Sequence, residues 1–199
     1  MITNSHKETE EMMMNAVCAV TDEYGFENFT TKVWARRAKT SEGSLYNHFS
    51  NKNDILEKTF LRTDRFFVQE LKKIFMKNIG MTPTEKNAKC IFDDYLEVLR
   101  DHSVEMRYCQ AFIKTKPYME RTRFEQARNW SEMNEVYDAY GLQQNVTAQE
   151  IQFFFTRSVT AYAEYLFSSD SGTPDESYED IGKLLIIVLK YILDERKAA

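Results

Sequence analysis

The chain has 199 residues, of which 43% are hydrophobic and 29% charged, and a net charge of −5. That balance excludes a disordered chain, and the length is enough for a sizeable core. Six Gly and three Pro are too few for an all-β sandwich, and the longest apolar run, Leu184 to Leu189, is far too short to cross a bilayer.

Residues 8–24 place Met12, Met13, Ala16, Val17, Ala19 and Val20 at helical spacing, with Gly25 where a helix C-cap belongs. Glu8, Glu10 and Glu11 precede this stretch, the opposite of the basic start of a secretory leader. After a short apolar link, Thr30 and Thr31 offer an N-cap for a helix over 32–38. Lys39, Thr40 and Ser41 form a tight turn, and Ser41 can cap a second short helix over 42–48. Ser50 and Asn51 break that helix, and a long helix runs from Lys52 to about Asn78.

Further on, one start signal recurs. Thr82-Pro83-Thr84-Glu85, Thr147-Ala148-Gln149-Glu150 and Thr173-Pro174-Asp175-Glu176 all read as capping boxes, two of them with Pro in the first helical position. They predict helices at about 83–101, 148–168 and 174–196. Stretches 103–115 and 117–140 also read as helical, the latter ending at Gly141. The fold class is therefore all-α: an N-terminal three-helix helix-turn-helix domain over 1–52, then a helical bundle over 53–199.

Charge is unevenly distributed. Between Thr30 and Lys52 five basic residues (Lys32, Arg36, Arg37, Lys39, Lys52) face one acid, Glu42, giving +4 there and −9 over the rest. A basic island on an acidic body points to one localised anionic partner, although a solvated face would give the same count. The island coincides with two short helices joined by a three-residue turn. In that arrangement one helix braces the backbone and the next enters the major groove. Ala35 and Ala38 are small where the helices must cross. Leu45 and Phe49 point to the core, leaving Glu42, Tyr46 and Asn47 free.

Here the sequence resembles a known family. Gly25 to Thr31, Ala35-Arg36-Arg37-Ala38, Ser41-Glu42-Gly43-Ser44-Leu45-Tyr46-Asn47-His48-Phe49 and Lys52-Asn53-Asp54-Ile55-Leu56 are similar to the DNA-binding domain of TetR-type transcriptional regulators. The match covers about residues 8–62. One departure is Lys39, where the family usually has Gly in the turn.

The resemblance implies that Thr31, Lys32 and Lys52 contact phosphate and that Tyr46 and His48 touch the sugar-phosphate backbone. It also implies that Glu42, Gly43, Ser44 and Asn47 meet base edges, with Arg36 a further phosphate contact unless Arg37 takes that place and Arg36 is solvated. Each has a structural alternative: Tyr46 as a packing residue, His48 as a satisfied structural histidine, Glu42 as a first-turn acid favourable to the helix dipole.

The body is rich in aromatic residues. The resemblance implies an effector pocket there, for which the candidates are Phe92, Tyr95, His102, Arg107, Tyr108, Phe112, Trp130, Tyr137, Phe155 and Tyr162; ordinary core packing is the alternative for each. The last two helices carry broad apolar stripes, and the resemblance implies that they pair with their mates across a two-fold axis. The expected dimer interface is Ile151, Phe154, Ser158, Tyr162, Ile181, Leu184, Leu185, Val188 and Ile192.

The expected function is a ligand-responsive transcriptional regulator, a homodimeric repressor that binds a palindromic DNA operator and is released by a small, largely apolar or aromatic effector. The alternative is a DNA-binding protein of the same fold whose body takes a protein partner. No enzyme is expected, because there is no phosphate loop and no G-x-S-x-G, and His6, His48 and His102 have no evident nucleophile. Cys18, Cys90 and Cys109 are odd in number and scattered, with no C-x-x-C pair. No metal and no cofactor is therefore expected, and a reducing, cytoplasmic setting without a membrane partner fits.

Overall fold

The computed structural model describes residues 4–82, 84–140, 148–168 and 176–194, and these contain no strand. The helices are α1 (Asn4–Tyr24), α2 (Thr31–Arg37), α3 (Glu42–His48), α4 (Lys52–Lys77), α5 (Glu85–Asp101), α6 (Ser103–Phe112) and α7 (Glu120–Trp130). They continue with α8 (Asn134–Tyr140), α9 (Ala148–Phe153), α10 (Thr160–Ser168) and α11 (Glu176–Asp194). A 3₁₀ turn, Ser131–Met133, joins α7 to α8, and a π-helical stretch, Phe154–Val159, joins α9 to α10.

Local chemistry sets most of the boundaries. Gly25 closes α1 at φ +75° and its amide donates to Thr21 O at 2.9 Å. Thr30 Oγ1 accepts from the Val33 amide at the start of α2, and Ser41 Oγ accepts from the Ser44 amide at the start of α3. Asn51 Oδ1 accepts from the amides of Asn53 and Asp54, which starts α4.

The start of α5 departs from expectation. Thr84, not Thr82, is the cap, its hydroxyl accepting from the Asn87 amide at 3.2 Å. Thr82 instead offers its carbonyl to Asn87 Nδ2 at 2.7 Å. With two threonines in reach, the second keeps Glu85 inside the first turn, where an acid favours the helix dipole. Pro83, Gly141, Thr147 and 173–175, on which the other expected boundary signals fall, lie outside the described residues.

The chain forms two compact units that do not follow a boundary at 52/53. The first comprises the chain up to Asp64 together with Val104–Glu125; the second comprises Arg65–Ser103 and the chain from Gln126 onward. Helix α4 runs through both.

The core of the first unit gathers Met13, Val17 and Val20 of α1, Trp34, Ala35 and Ala38 of the α2 segment, Leu45 and Phe49 around α3, and Ile55, Leu56 and Phe60 of α4. Two aromatics of α6, Tyr108 and Phe112, complete it. The Tyr108 hydroxyl donates to Leu56 O at 2.7 Å, and the Trp34 indole N–H donates to Met13 O at 2.9 Å. Both side chains are fully buried, so each polar group needs such a partner. Arg107 adds a bidentate pair to Asp22 at 2.6 and 2.8 Å.

In the second unit, α11 lies along α5, and α10 also packs on α5. Phe155 sits edge-on to both Phe75 and Tyr95, and Phe92 packs against Tyr162. Tyr140 donates its hydroxyl to Phe75 O at 2.7 Å. Gly182 meets Tyr162 closely: a Cβ there would stand 2.5 Å from the phenol oxygen.

Candidate nucleic-acid interface

Helices α2 and α3 form a helix-turn-helix. The turn is a Schellman closure: the Thr40 amide donates to Ala35 O at 3.0 Å and the Lys39 amide to Arg36 O at 3.2 Å. That closure requires a left-handed residue, and Lys39 supplies it at φ +51°. The position where the sequence departs from glycine is thus a strained one. Ala35 and Ala38 are both buried, which lets the elements cross closely.

With Leu45 and Phe49 in the core, α3 turns Glu42, Gly43, Tyr46 and Asn47 outward, with Ser44 half-buried. Tyr46 is 51% exposed, although a ring of its size ordinarily seeks cover. On α2, Lys32 and Arg36 are exposed and Thr31 is half-buried. Thr31 donates its hydroxyl to Glu42 Oε2 at 2.5 Å, linking the first residues of the two short helices.

Two expected contacts are placed differently. His48 turns inward toward α1, where its side chain is 11% exposed, packs at a tilt against the His6 ring and lies 3.5 Å from Glu10. Lys52 donates to Phe29 O at 2.5 Å with its ammonium over the Phe29 ring, so its charge is engaged within the domain. Beside the outward face, Val20, Tyr24, Val33, Arg36, Arg37 and Lys39 line a hollow of about 270 Å³ that carries three cations. The sequence leaves Arg37 as the alternative to Arg36 for a phosphate contact and assigns Lys39 no contact of its own. Their signal was present, since both lie in the basic island.

The effector candidates divide between the two units. Arg107, Tyr108 and Phe112 belong to the first unit and are bound into it as described above. The second unit holds Phe92, Tyr95, His102, Trp130, Tyr137, Phe155 and Tyr162. Tyr95, Trp130 and Phe155 are core residues, and His102 packs edge-on to Phe66. Tyr137 differs. Its hydroxyl is buried with no hydrogen-bond partner, and burial pushes the phenol well above its ordinary pKa.

The expected dimer residues also divide. Ile151, Phe154, Leu185 and Ile192 are buried within the chain, while Ser158 and Tyr162 are half-buried. Ile181, Leu184 and Val188 are exposed, and Ile187 and Tyr191 join them on α11.

Residues 14–59 match the family model described as bacterial regulatory proteins, tetR family. Over these residues the chain carries a TetR-type DNA-binding domain. The matched residues span α1 to the start of α4 and include the whole helix-turn-helix. Solved structures share the fold along nearly the full length.

A TetR family transcription regulator from Marinobacter aquaeolei VT8 is 14% identical with a TM-score of 0.71, over 93% of this chain and 97% of that one. A TetR-family transcriptional regulator from Mesorhizobium loti is 12% identical with a TM-score of 0.69, over 96% and 98%. The transcriptional regulator FadR from Bacillus subtilis, solved in complex with stearoyl-CoA, is 12% identical with a TM-score of 0.61, over 94% and 98%. No curated protein sequence matches the chain. Among the described residues, no helix is long and apolar enough to cross a membrane.

Proposed function

We propose that this chain is a cytoplasmic transcriptional repressor of the TetR family that binds a palindromic DNA operator as a homodimer and releases it on binding a small, largely apolar effector. The observation that carries the reading is the outward face of α2 and α3. There Tyr46, Asn47, Gly43 and Glu42 stand clear of the core beside exposed Lys32 and Arg36, on a chain whose overall charge is negative. In this reading the cations hold phosphate and set the register, and the α3 side chains read base edges in the major groove.

The dimer is assigned to α11. Leu184 is 57% exposed, Ile187 53% and Tyr191 62%, and with Ile181 and Val188 they make an apolar face on a terminal helix. A face of this kind on one helix matches itself across a two-fold axis. The effector site is assigned to the second unit around Tyr137, whose partnerless buried hydroxyl suits one polar group of an otherwise apolar ligand. The stearoyl-CoA complex of the Bacillus subtilis FadR supports a small-molecule effector for this fold.

The test is selection of bound duplexes from a random DNA pool at physiological salt, followed by sequencing. An inverted repeat is the expected product. A folded protein that enriches no sequence, with and without extracted cellular small molecules, rejects the reading.

A further inference from the structure

His6 and Glu10 lie four residues apart on α1 and so share one face. His48, the last residue of α3, meets them there. Glu10 Oε1 stands 3.4 Å from His6 Nδ1 and 3.5 Å from His48 Nδ1, and the three donor atoms lie within 4.8 Å of one another. Both ring nitrogens are buried, yet neither is aligned for a hydrogen bond. Three possible ligand atoms therefore converge on one point, and with both Nδ1 atoms unprotonated each would present a lone pair that a cation can satisfy.

We propose that His6, Glu10 and His48 bind a divalent transition-metal ion of the zinc type. Ligands about 2.0–2.1 Å from a tetrahedral zinc stand about 3.3 Å apart, close to two of the separations observed here. Two imidazoles and a carboxylate suit zinc better than the all-oxygen shells of magnesium or calcium. The His6 side chain is 42% exposed, which leaves the ion a way in and a side for a water as fourth ligand. The bound ion fastens the end of α3 to the start of α1, and this holds whether or not the domain reads DNA as proposed. Cysteine spacing gave no hint of it, because the ligands are a helical His-x-x-x-Glu and a histidine far along the chain.

The test uses the full chain with Cys90→Ser, so that the exposed thiol does not compete, stripped with chelator and titrated with Zn²⁺ by calorimetry. One ion per chain is expected, together with a rise in Tm on adding Zn²⁺. His6→Gln, on a partly exposed turn of α1, leaves the core intact. It is expected to lower Zn²⁺ affinity at least about tenfold and to abolish the Tm rise. Glu10→Gln and His48→Gln are expected to do the same, with Co²⁺ spectra of the parent showing nitrogen and oxygen ligation. Absence of Zn²⁺ binding overturns the proposal, and so does binding that survives all three substitutions.

Discussion

Thr31 and Glu42, the first residues of α2 and α3, are joined by a 2.5 Å hydrogen bond from hydroxyl to carboxylate. The family resemblance implies a separate DNA contact for each. Their pairing makes them one unit that fixes how the reading helix leaves its brace. Both are at the surface, so the stabilisation is modest. A double-mutant cycle with Thr31→Ala and Glu42→Ala, followed by urea denaturation, is expected to give a coupling of about 0.5–1 kcal/mol. A coupling of zero removes the pair from the account of α3's seat.

The exposed face predicts different signatures for its members. Lys32→Ala and Arg36→Ala should weaken binding to all duplexes alike and lower the salt slope by about one each, because each releases one phosphate contact. Tyr46→Ala and Asn47→Ala should weaken binding to the selected site with Tm unchanged, since neither supports the core. Lys52→Ala is expected to lower Tm, because its ammonium holds the Phe29 carbonyl and ring. Binding isotherms at several salt concentrations, with thermal melts, separate these three behaviours.

Lys39 offers a gain. An L-residue in the left-handed region costs about 1–2 kcal/mol, against about 0.5–1 kcal/mol of extra chain entropy for glycine. Lys39→Gly should therefore raise Tm slightly, whereas Lys39→Ala should not, because alanine keeps the strain. Equal melting of the two variants would show that the turn carries no strain at φ +51°.

The sequence made legible what is local. Ser41 and Gly25 act where caps were expected, Thr30 takes the cap offered to it and its neighbour, and the α3 alternation of Leu45 and Phe49 inward against Tyr46 and Asn47 outward follows from helical spacing alone. What escaped depends on contacts between distant segments. Tyr108 and Phe112 read as effector-pocket aromatics because nothing in the sequence says that α6 packs on α1 and α4. His48 sits on the reading helix by spacing, but only the fold brings it against His6 and Glu10. The apolar stripe of α11 was visible, whereas its division into buried Leu185 and Ile192 and exposed Leu184 and Tyr191 depends on α5 lying along one side.

The thiols should separate cleanly. Burial pushes Cys18 up to about 12, and burial likewise raises Cys109 well above its ordinary value, while Cys90 is exposed. The thiolate is the reacting form, so Cys18 and Cys109 should resist a disulfide reagent in the native protein. One fast-reacting thiol per chain is expected, and all three after denaturation. Two or more fast thiols in the native state would contradict the packing of α1 against α6.

Asp54 ties acid stability to the entrance of α4. Burial raises its pKa, but the Ser50 amide at 2.8 Å and the Lys58 ammonium at 3.0 Å outweigh this, and the carboxyl ends below its usual range. A folded-state pKa below the unfolded value means that the group binds protons more readily once the chain unfolds. Its stabilisation is present above the unfolded pKa of about 3.9 and is lost as pH falls through the folded value. Asp54→Asn removes that proton uptake and the charge that Lys58 answers. The variant should be less stable than the parent at neutral pH, and the difference should shrink as pH drops below about 4. Urea denaturation of both proteins across the acid range measures it, and a difference independent of pH would assign Asp54 a purely packing role.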